Sequence, residues 1–224
     1  MFERRASGKA RLGLAIVLGA VAAGAASAAN PHDPQKRFNA ADQAWARRLV
    51  ITGADLPGHG WTGQKSTDNS TCRSFNPDES DLVETGERES LDFMRGGSFV
   101  ASTAAVFISS ADAQRSWNRE VKPQVLECLA EGLNDVSTSG ATVKIVSSGR
   151  LGFPKLAPRT AAFRVRLAFD VQGLKFGADL HFICLGRGRA NLALVTMSPG
   201  RPLTPLPAGL ERTLASRLAQ RLRG

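Results

Sequence analysis

Hydrophobic and polar positions along the chain follow two periods, one typical of helices and one typical of strands. Apolar residues recur with helical spacing in three places, which predicts amphipathic helices over residues 38–51, 110–132 and 210–222. Asn39 and Ser110 have the side chains of N-caps for the first two helices. Pro123 lies inside the second range, so we expect that helix to kink or split there.

The other periodic segments read as strands joined by short turns. Two β-type runs, over 86–95 and 98–109, flank Gly96 and Gly97, a dipeptide that favours a hairpin. Four more runs cover residues 141–148, 160–171, 174–185 and 190–198, and the sequence allows one further strand near 61–72. The order of these elements predicts an α+β domain: an antiparallel sheet of about six strands with three helices packed on one face.

The first 28 residues have the three parts of a secretory signal peptide. A basic start precedes an uncharged apolar stretch, and the small residues Ala26 and Ala28 match a cleavage site. We therefore expect cleavage after Ala28 and export, then a flexible leader over 29–37 and a single domain over 38–224. The alternative is an uncleaved membrane anchor, because the uncharged stretch is just long enough to span a bilayer.

Basic residues exceed acidic ones, and the excess is concentrated near the C-terminus. The chain has 29 Lys and Arg against 20 Asp and Glu, a formal net charge of +9. We expect the cations of the last helix to be able to contact a membrane or cell-wall polymer: Arg212, Arg217, Arg221 and Arg223. The alternative is a solvated helix face. Nucleic acid is not an expected partner of an exported protein.

Several short motifs occur in a recognisable order. The run ADLPGHGW (Ala54–Trp61) precedes Cys72, and VFISSADAQRSW (Val106–Trp117) leads into a helix with Cys128. With the four strands and the final Arg/Leu helix, this order resembles secreted or lipid-anchored actinobacterial domains. These are related to the extracellular sensor domain of a mycobacterial Ser/Thr kinase and to LpqN-like, PsbP-like lipoproteins. The resemblance implies a sheet flanked by helices, a cleft between them, and ligand or partner sensing. No lipid-anchor cysteine follows the expected cleavage site, which departs from the lipoproteins.

The chain contains three cysteines, Cys72, Cys128 and Cys184. Disulfides persist in exported proteins, and we expect a Cys72–Cys128 bridge. The alternative is a Cys128–Cys184 bridge between helix and sheet. In the first case Cys184 remains as a buried, unreactive thiol.

The glycine-rich loop before Trp61 is the candidate ligand-binding site, formed by Gly58, His59, Gly60 and Trp61. No metal or cofactor is expected there, because His59 and Asp55 lack a third spaced ligand. A Cys–His hydrolase is disfavoured because Cys184 and His181 point to opposite faces of one strand. We therefore expect an exported, non-enzymatic ligand-binding or sensor-like module. The alternatives are a cationic envelope-associated protein and, less favoured, a hydrolase.

Overall fold

The structure, a computed structural model, describes residues 30–66, 75–126, 141–171 and 173–224. Its helices are α1 (Ala40–Leu49), α2 (Ser110–Glu120) and α3 (Leu210–Arg221), with a short 3-10 turn at Gly53–Asp55. Its strands are β1 (Gln35–Lys36), β2 (Thr62–Gln64), β3 (Val83–Glu89), β4 (Asp92–Arg95), β5 (Ser98–Phe107), β6 (Ala141–Arg150), β7 (Arg159–Val171), β8 (Leu174–Arg187) and β9 (Ala190–Pro199).

Side-chain caps fix where the first two helices begin. The Asn39 side chain accepts a hydrogen bond from the Asp42 N–H at 2.9 Å, which confirms Asn39 as the N-cap of α1. The cap of α2 is Ser109, one residue before the predicted Ser110, and its hydroxyl accepts from the Asp112 N–H at 3.0 Å. This helix ends at Glu120, before Pro123, because proline has no N–H to donate and its ring clashes with the preceding turn.

The sheet has nine strands within the described residues, so the expectation of about six is wrong. The strand order is β1-β3-β5-β9-β8-β7-β6, while β4 pairs with β5 beyond the end of β3, and β2 pairs with β4. All pairs are antiparallel except β1 with β3. The count rises because the run expected over 86–95 is divided into β3 and β4, and because β2 forms within the range 61–72 where one further strand was considered. Only β1 has no predicted counterpart, since a run of two residues does not display a period of two that a sequence pattern could reveal.

The helices lie on both faces of the sheet, which corrects the expectation that all three pack on one face. Strand β5 is apolar on both faces, and its alternate side chains enter different clusters. Val106 packs with residues of α1 and α3, whereas Phe107 packs with Ala113 of α2. A central strand buried on both sides needs cover from both sides, and this requirement places α2 opposite the other two helices.

A buried carboxylate anchors α1 to the sheet. Asp42 is 7% exposed and accepts hydrogen bonds from both terminal nitrogens of Arg189, at 3.0 and 2.8 Å. The Thr85 hydroxyl of β3 donates to the same carboxylate at 2.6 Å. The bonds from Arg189 are the main reason that the pKa of Asp42 lies well below its usual value. The charged form is therefore the stable one at neutral pH, and it holds the start of α1 against β3 and the β8–β9 turn.

The segment expected to be a flexible leader contains ordered contacts. Strand β1 lies within it and pairs with β3. The Asn30 side chain donates to the side chain of Asn76 at 2.8 Å, and Gln35 donates to the Ser80 carbonyl at 3.0 Å. These bonds attach the start of the described chain to the segment that precedes β3.

Candidate functional site

The glycine-rich loop follows the 3-10 turn and turns back toward the sheet at β2. Gly58 and Gly60 have φ angles of 72° and 86°, the left-handed region that favours glycine. Both residues are exposed, as is His59 between them. The loop therefore exposes its backbone and the His59 imidazole to solvent. Any residue other than glycine at position 58 or 60 would strain the backbone.

Trp61 and Arg95 hold this loop in place from its inner side. The Trp61 indole N–H donates to the Pro57 carbonyl at 3.0 Å, and the Arg95 Nη1 donates to the same carbonyl at 3.1 Å. The Arg95 guanidinium carbon lies 4.5 Å from the centre of the Trp61 ring, within the range of a cation–π contact. Trp61 is half-buried and packs against the apolar cluster shared by α1, α3 and the sheet.

The four residues predicted for ligand binding thus share one loop, and Arg95 joins them as a residue that the sequence analysis missed. Arg95 lies on β4, 35 positions beyond Gly60 by number, and no spacing rule connects the two. Among the described residues, Arg95 forms no ion pair with a carboxylate. Within the described ranges, Nη1 of Arg95 donates to the Pro57 carbonyl and the other guanidinium nitrogens have no hydrogen-bond acceptor.

A buried ion pair beneath the loop links it to α3. Asp55 is 7% exposed, and its carboxylate accepts from Arg221 at 2.5 Å and from the Thr52 N–H at 2.8 Å. Burial raises the pKa of the Asp55 carboxyl, but the bonds from Thr52 and Arg221 outweigh that effect and hold the pKa below its usual value. Arg217 also donates to the Asp55 carbonyl at 2.9 Å.

The four arginines expected to form a cationic surface fall into two groups, those bound to Asp55 and those that are not. Arg217 and Arg221 are tied to Asp55, and Arg221 also donates to the Val50 carbonyl at 2.8 Å. Arg212 and Arg223 are exposed and have no ion pair with any residue in the described ranges. With respect to the described part of the chain, the unpaired cations of this region are therefore Arg212 in the first turn of α3 and Arg223 just after the helix.

His181 has an acidic partner that the sequence did not reveal. Its Nδ1 lies 2.7 Å from Oε2 of Glu211, in the first turn of α3. Asp179, two positions before His181 on β8, accepts a hydrogen bond from Arg164 at 2.9 Å instead. The His181 Nε2 and the hydroxyl of Thr196, its opposite neighbour on β9, are both buried without a hydrogen-bond partner in the described part of the chain. The pair joins α3 to the sheet and offers no solvent-facing imidazole nitrogen.

Cys184 is a free thiol on the other face of the same strand. It stands opposite Ala193 on β9, three positions from His181, so the two side chains point away from each other as predicted. Burial raises the pKa of the Cys184 thiol to about 12, which keeps it protonated and unreactive at neutral pH. Cys72 and Cys128 lie outside the described residues, and so does the predicted bridge between them.

Within the described ranges, no group of three or more His, Cys, Asp or Glu side chains is arranged to hold a metal ion. The helices in these ranges are also too short or too polar to cross a membrane. Residues 1–29, which include the expected signal peptide, lie outside the described residues.

Comparisons with known proteins find similarity among solved structures but not among sequences. No protein-family model matches the chain, and no curated protein sequence matches it. Among solved structures, the chain is similar to the extracellular domain of PknH from Mycobacterium tuberculosis, with 11% sequence identity and a TM-score of 0.45. The match covers 86% of this chain and 98% of that domain.

Proposed function

We propose that this protein is an exported, non-enzymatic binding module whose glycine-rich loop, Gly58–Trp61, binds an anionic group. The observation that carries the proposal is Arg95, a cation that lies against the loop without a carboxylate partner among the described residues. A guanidinium has five N–H donors and suits the geometry of carboxylates and phosphates. Its contacts with Trp61 and Pro57 orient it before any ligand arrives, which lowers the entropic cost of binding.

The loop supplies the second part of such a site. Gly58 and Gly60 have no side chains to shield their backbone, so an anion could approach the exposed N–H groups beside Arg95 closely. His59 lies on the same exposed turn and offers a further donor. The Asp55–Arg221 pair beneath the loop keeps the platform attached to α3.

Binding of simple probes tests this proposal. We expect inorganic phosphate and glycerol 3-phosphate to raise the melting temperature of the protein and to change its tryptophan fluorescence, whereas neutral sugars leave both unchanged. The Arg95→Gln variant should lose the response. Arg88→Gln, which removes an exposed arginine on β3, is the matched control and should keep it. A response that survives in Arg95→Gln, or that is equal for neutral sugars, would contradict the proposal.

Export is a separate part of the proposal and has its own test. It is supported by the basic, apolar and small-residue order of residues 1–28. The protein recovered from outside the cytosol should begin at Ala29 on N-terminal sequencing. An intact N-terminus on membrane-bound protein would instead favour an uncleaved anchor.

A second candidate function is association with an anionic envelope surface through α3. Arg212 and Arg223 favour it, because they are exposed and not neutralised by any described carboxylate. Vesicles that contain anionic lipid should bind the protein at low ionic strength and release it as salt is raised. An Arg212→Gln, Arg223→Gln double variant that binds as well as the wild type would exclude this surface.

A further inference from the structure

The sheet ends in a long strand whose outer edge is unpaired within the described residues. Strand β6 is the last in the strand order, and β7 is the neighbour with which it pairs. The strand at the other end of that order, β1, has only two residues, whereas β6 has ten. The outer N–H and C=O groups of an edge strand can pair with a further strand. The edge of β6 is therefore long enough to bind an extended segment.

Much of β6 is also open to solvent on its two faces. Seven of the nine residues from 142 to 150 are exposed. Ile145 and Val146 are among them, with 36% and 65% of their surface accessible. The pairing with β7 shifts between Ile145 and Ser147, which makes Val146 the extra residue of a bulge. Apolar side chains beside an unpaired edge provide contact area for a partner.

Positive charge lies beside the edge on one face of the sheet. Lys144 of β6 shares this face with Arg164 and Arg166 of β7. One carboxylate, Asp179 of β8, serves both arginines, at 2.9 Å from Nε of Arg164 and 3.6 Å from Nε of Arg166. Lys144 has no ion pair with any residue of the described ranges. This face therefore has more positive than negative charge next to β6.

The opposite face is apolar beside the same edge. Ile145 stands opposite Leu167 of β7, which is 2% exposed and belongs to the core of that face. Side chains of an added strand would alternate between the two faces. A complementary strand would therefore alternate acidic and apolar residues.

Charge also selects the kind of partner. Strand β6 contains Lys144 and Arg150 and no acidic residue, so a second copy would place like charges along the same edge. Asp170, the acid of β7, lies 3.8 Å from Lys175 and leaves the positive excess unchanged. Lysines and bulges on edge strands disfavour pairing between identical copies. The lysine does not disfavour an acidic partner, because it attracts one.

We propose that the outer edge of β6 binds an extended acidic segment of a partner protein, which adds to the sheet as a further strand. Hydrogen bonds between the two backbones hold the segment, and its alternate side chains give specificity. The acidic side chains face Lys144 and Arg166, and the apolar ones contact Ile145. This surface lies at the other end of the sheet from β2 and the glycine-rich loop, and it does not depend on the proposed anion site.

Fluorescence anisotropy with a labelled eight-residue peptide that alternates Glu and Val tests the proposal on the purified protein. The wild type should bind it saturably, and Lys144→Glu should bind it at least tenfold more weakly. Lys65→Glu is the matched control, because Lys65 is an exposed lysine just after β2, and it should keep the wild-type affinity. A peptide of the same charge with proline at two central positions should bind at least tenfold more weakly, since proline has no N–H to donate.

Hydrogen exchange of backbone amides locates the bound peptide. It should slow exchange at least tenfold at alternate residues between 142 and 150 and leave β2 unchanged. The absence of binding, equal binding by Lys144→Glu or by the proline peptide, or slower exchange elsewhere only would each overturn the proposal. A free protein that is a dimer in light scattering, with slow exchange along all of β6, would identify a second copy as the occupant. The same slow exchange in a monomer would mean that another part of this chain covers the edge. Either result would also refute binding of an acidic partner here.

Discussion

Helix α1 approaches the sheet closely at Gly86, and replacing this glycine by alanine tests how α1 packs on β3. An added Cβ at position 86 would lie 2.5 Å from both the carbonyl carbon and the carbonyl oxygen of Asp42, and 2.9 Å from the N of Gln43. All three are backbone atoms, which cannot rotate away as a side-chain end can. Restoring a normal contact requires α1 to move away from β3 by about 1 Å.

That movement disturbs polar contacts as well as packing. The Asn39 N–H donates to the Thr85 carbonyl at 3.0 Å, and the Thr85 hydroxyl donates to Asp42 at 2.6 Å. Overpacking costs about 1–3 kcal/mol, and each weakened hydrogen bond costs about 1 kcal/mol. We therefore expect Gly86→Ala to reduce the free energy of unfolding by about 3–5 kcal/mol, a large part of the total stability of a domain.

Urea unfolding followed by circular dichroism gives this value, provided that the slope with denaturant is the same in both proteins. Gly149→Ala on β6 is the matched control, since a Cβ at position 149 would have no neighbour within 4 Å. It should change stability by no more than about 0.5 kcal/mol. A loss below about 1 kcal/mol for Gly86→Ala would refute the close approach of α1 to β3.

Three further predictions concern the core, acid stability and the free thiol. Leu214→Ala removes a fully buried side chain of α3 and should reduce the free energy of unfolding by about 3–5 kcal/mol. Gln220→Ala, on the exposed side of α3, should reduce it little. Equal reductions in urea unfolding would contradict the packing of α3. The pKa of Asp42 is depressed in the folded state, so its contribution is present above about pH 4 and is lost as the pH falls toward that depressed pKa. The wild type should therefore lose stability below pH 4 more steeply than Asp42→Asn, and parallel curves would count against the Arg189 contact. In the folded protein Cys184 should react with iodoacetamide at pH 8 at least tenfold more slowly than in urea, as peptide mapping can measure, and similar rates would mean that the thiol is accessible.

Much of the fold could be predicted because local sequence patterns specify the long strands and the helices. The four runs between residues 141 and 198 became β6 to β9 with small changes at their ends. In β7 to β9 the side chains largely alternate between more buried and more exposed positions, as their sequence pattern predicts. Strand β6 differs, because Val143 is the only buried side chain in its described part. The caps were nearly right for a similar reason, since Asn39 and Ser109 act within three residues of themselves.

The candidate site could be predicted only in part from the sequence. Gly58 and Gly60 are recognisable because the loop needs backbone angles that glycine prefers. Arg95 could not be assigned to that loop, because the contact arises from the pairing of β2 with β4. The His181–Glu211 contact also joins separate elements and does not follow from a spacing rule.

The sequence by itself determined the long strands, the helix starts and the turn glycines, because local backbone preferences and the alternation of apolar residues set them. It also determined that β5 would be buried on both faces. Only the tertiary structure decided which helix covers which face, how the short strands extend the sheet, and which charged groups meet. The physical reason is that burial and electrostatic contact depend on distances in space, and the chain brings residues such as Asp42 and Arg189 within 3 Å across 147 positions.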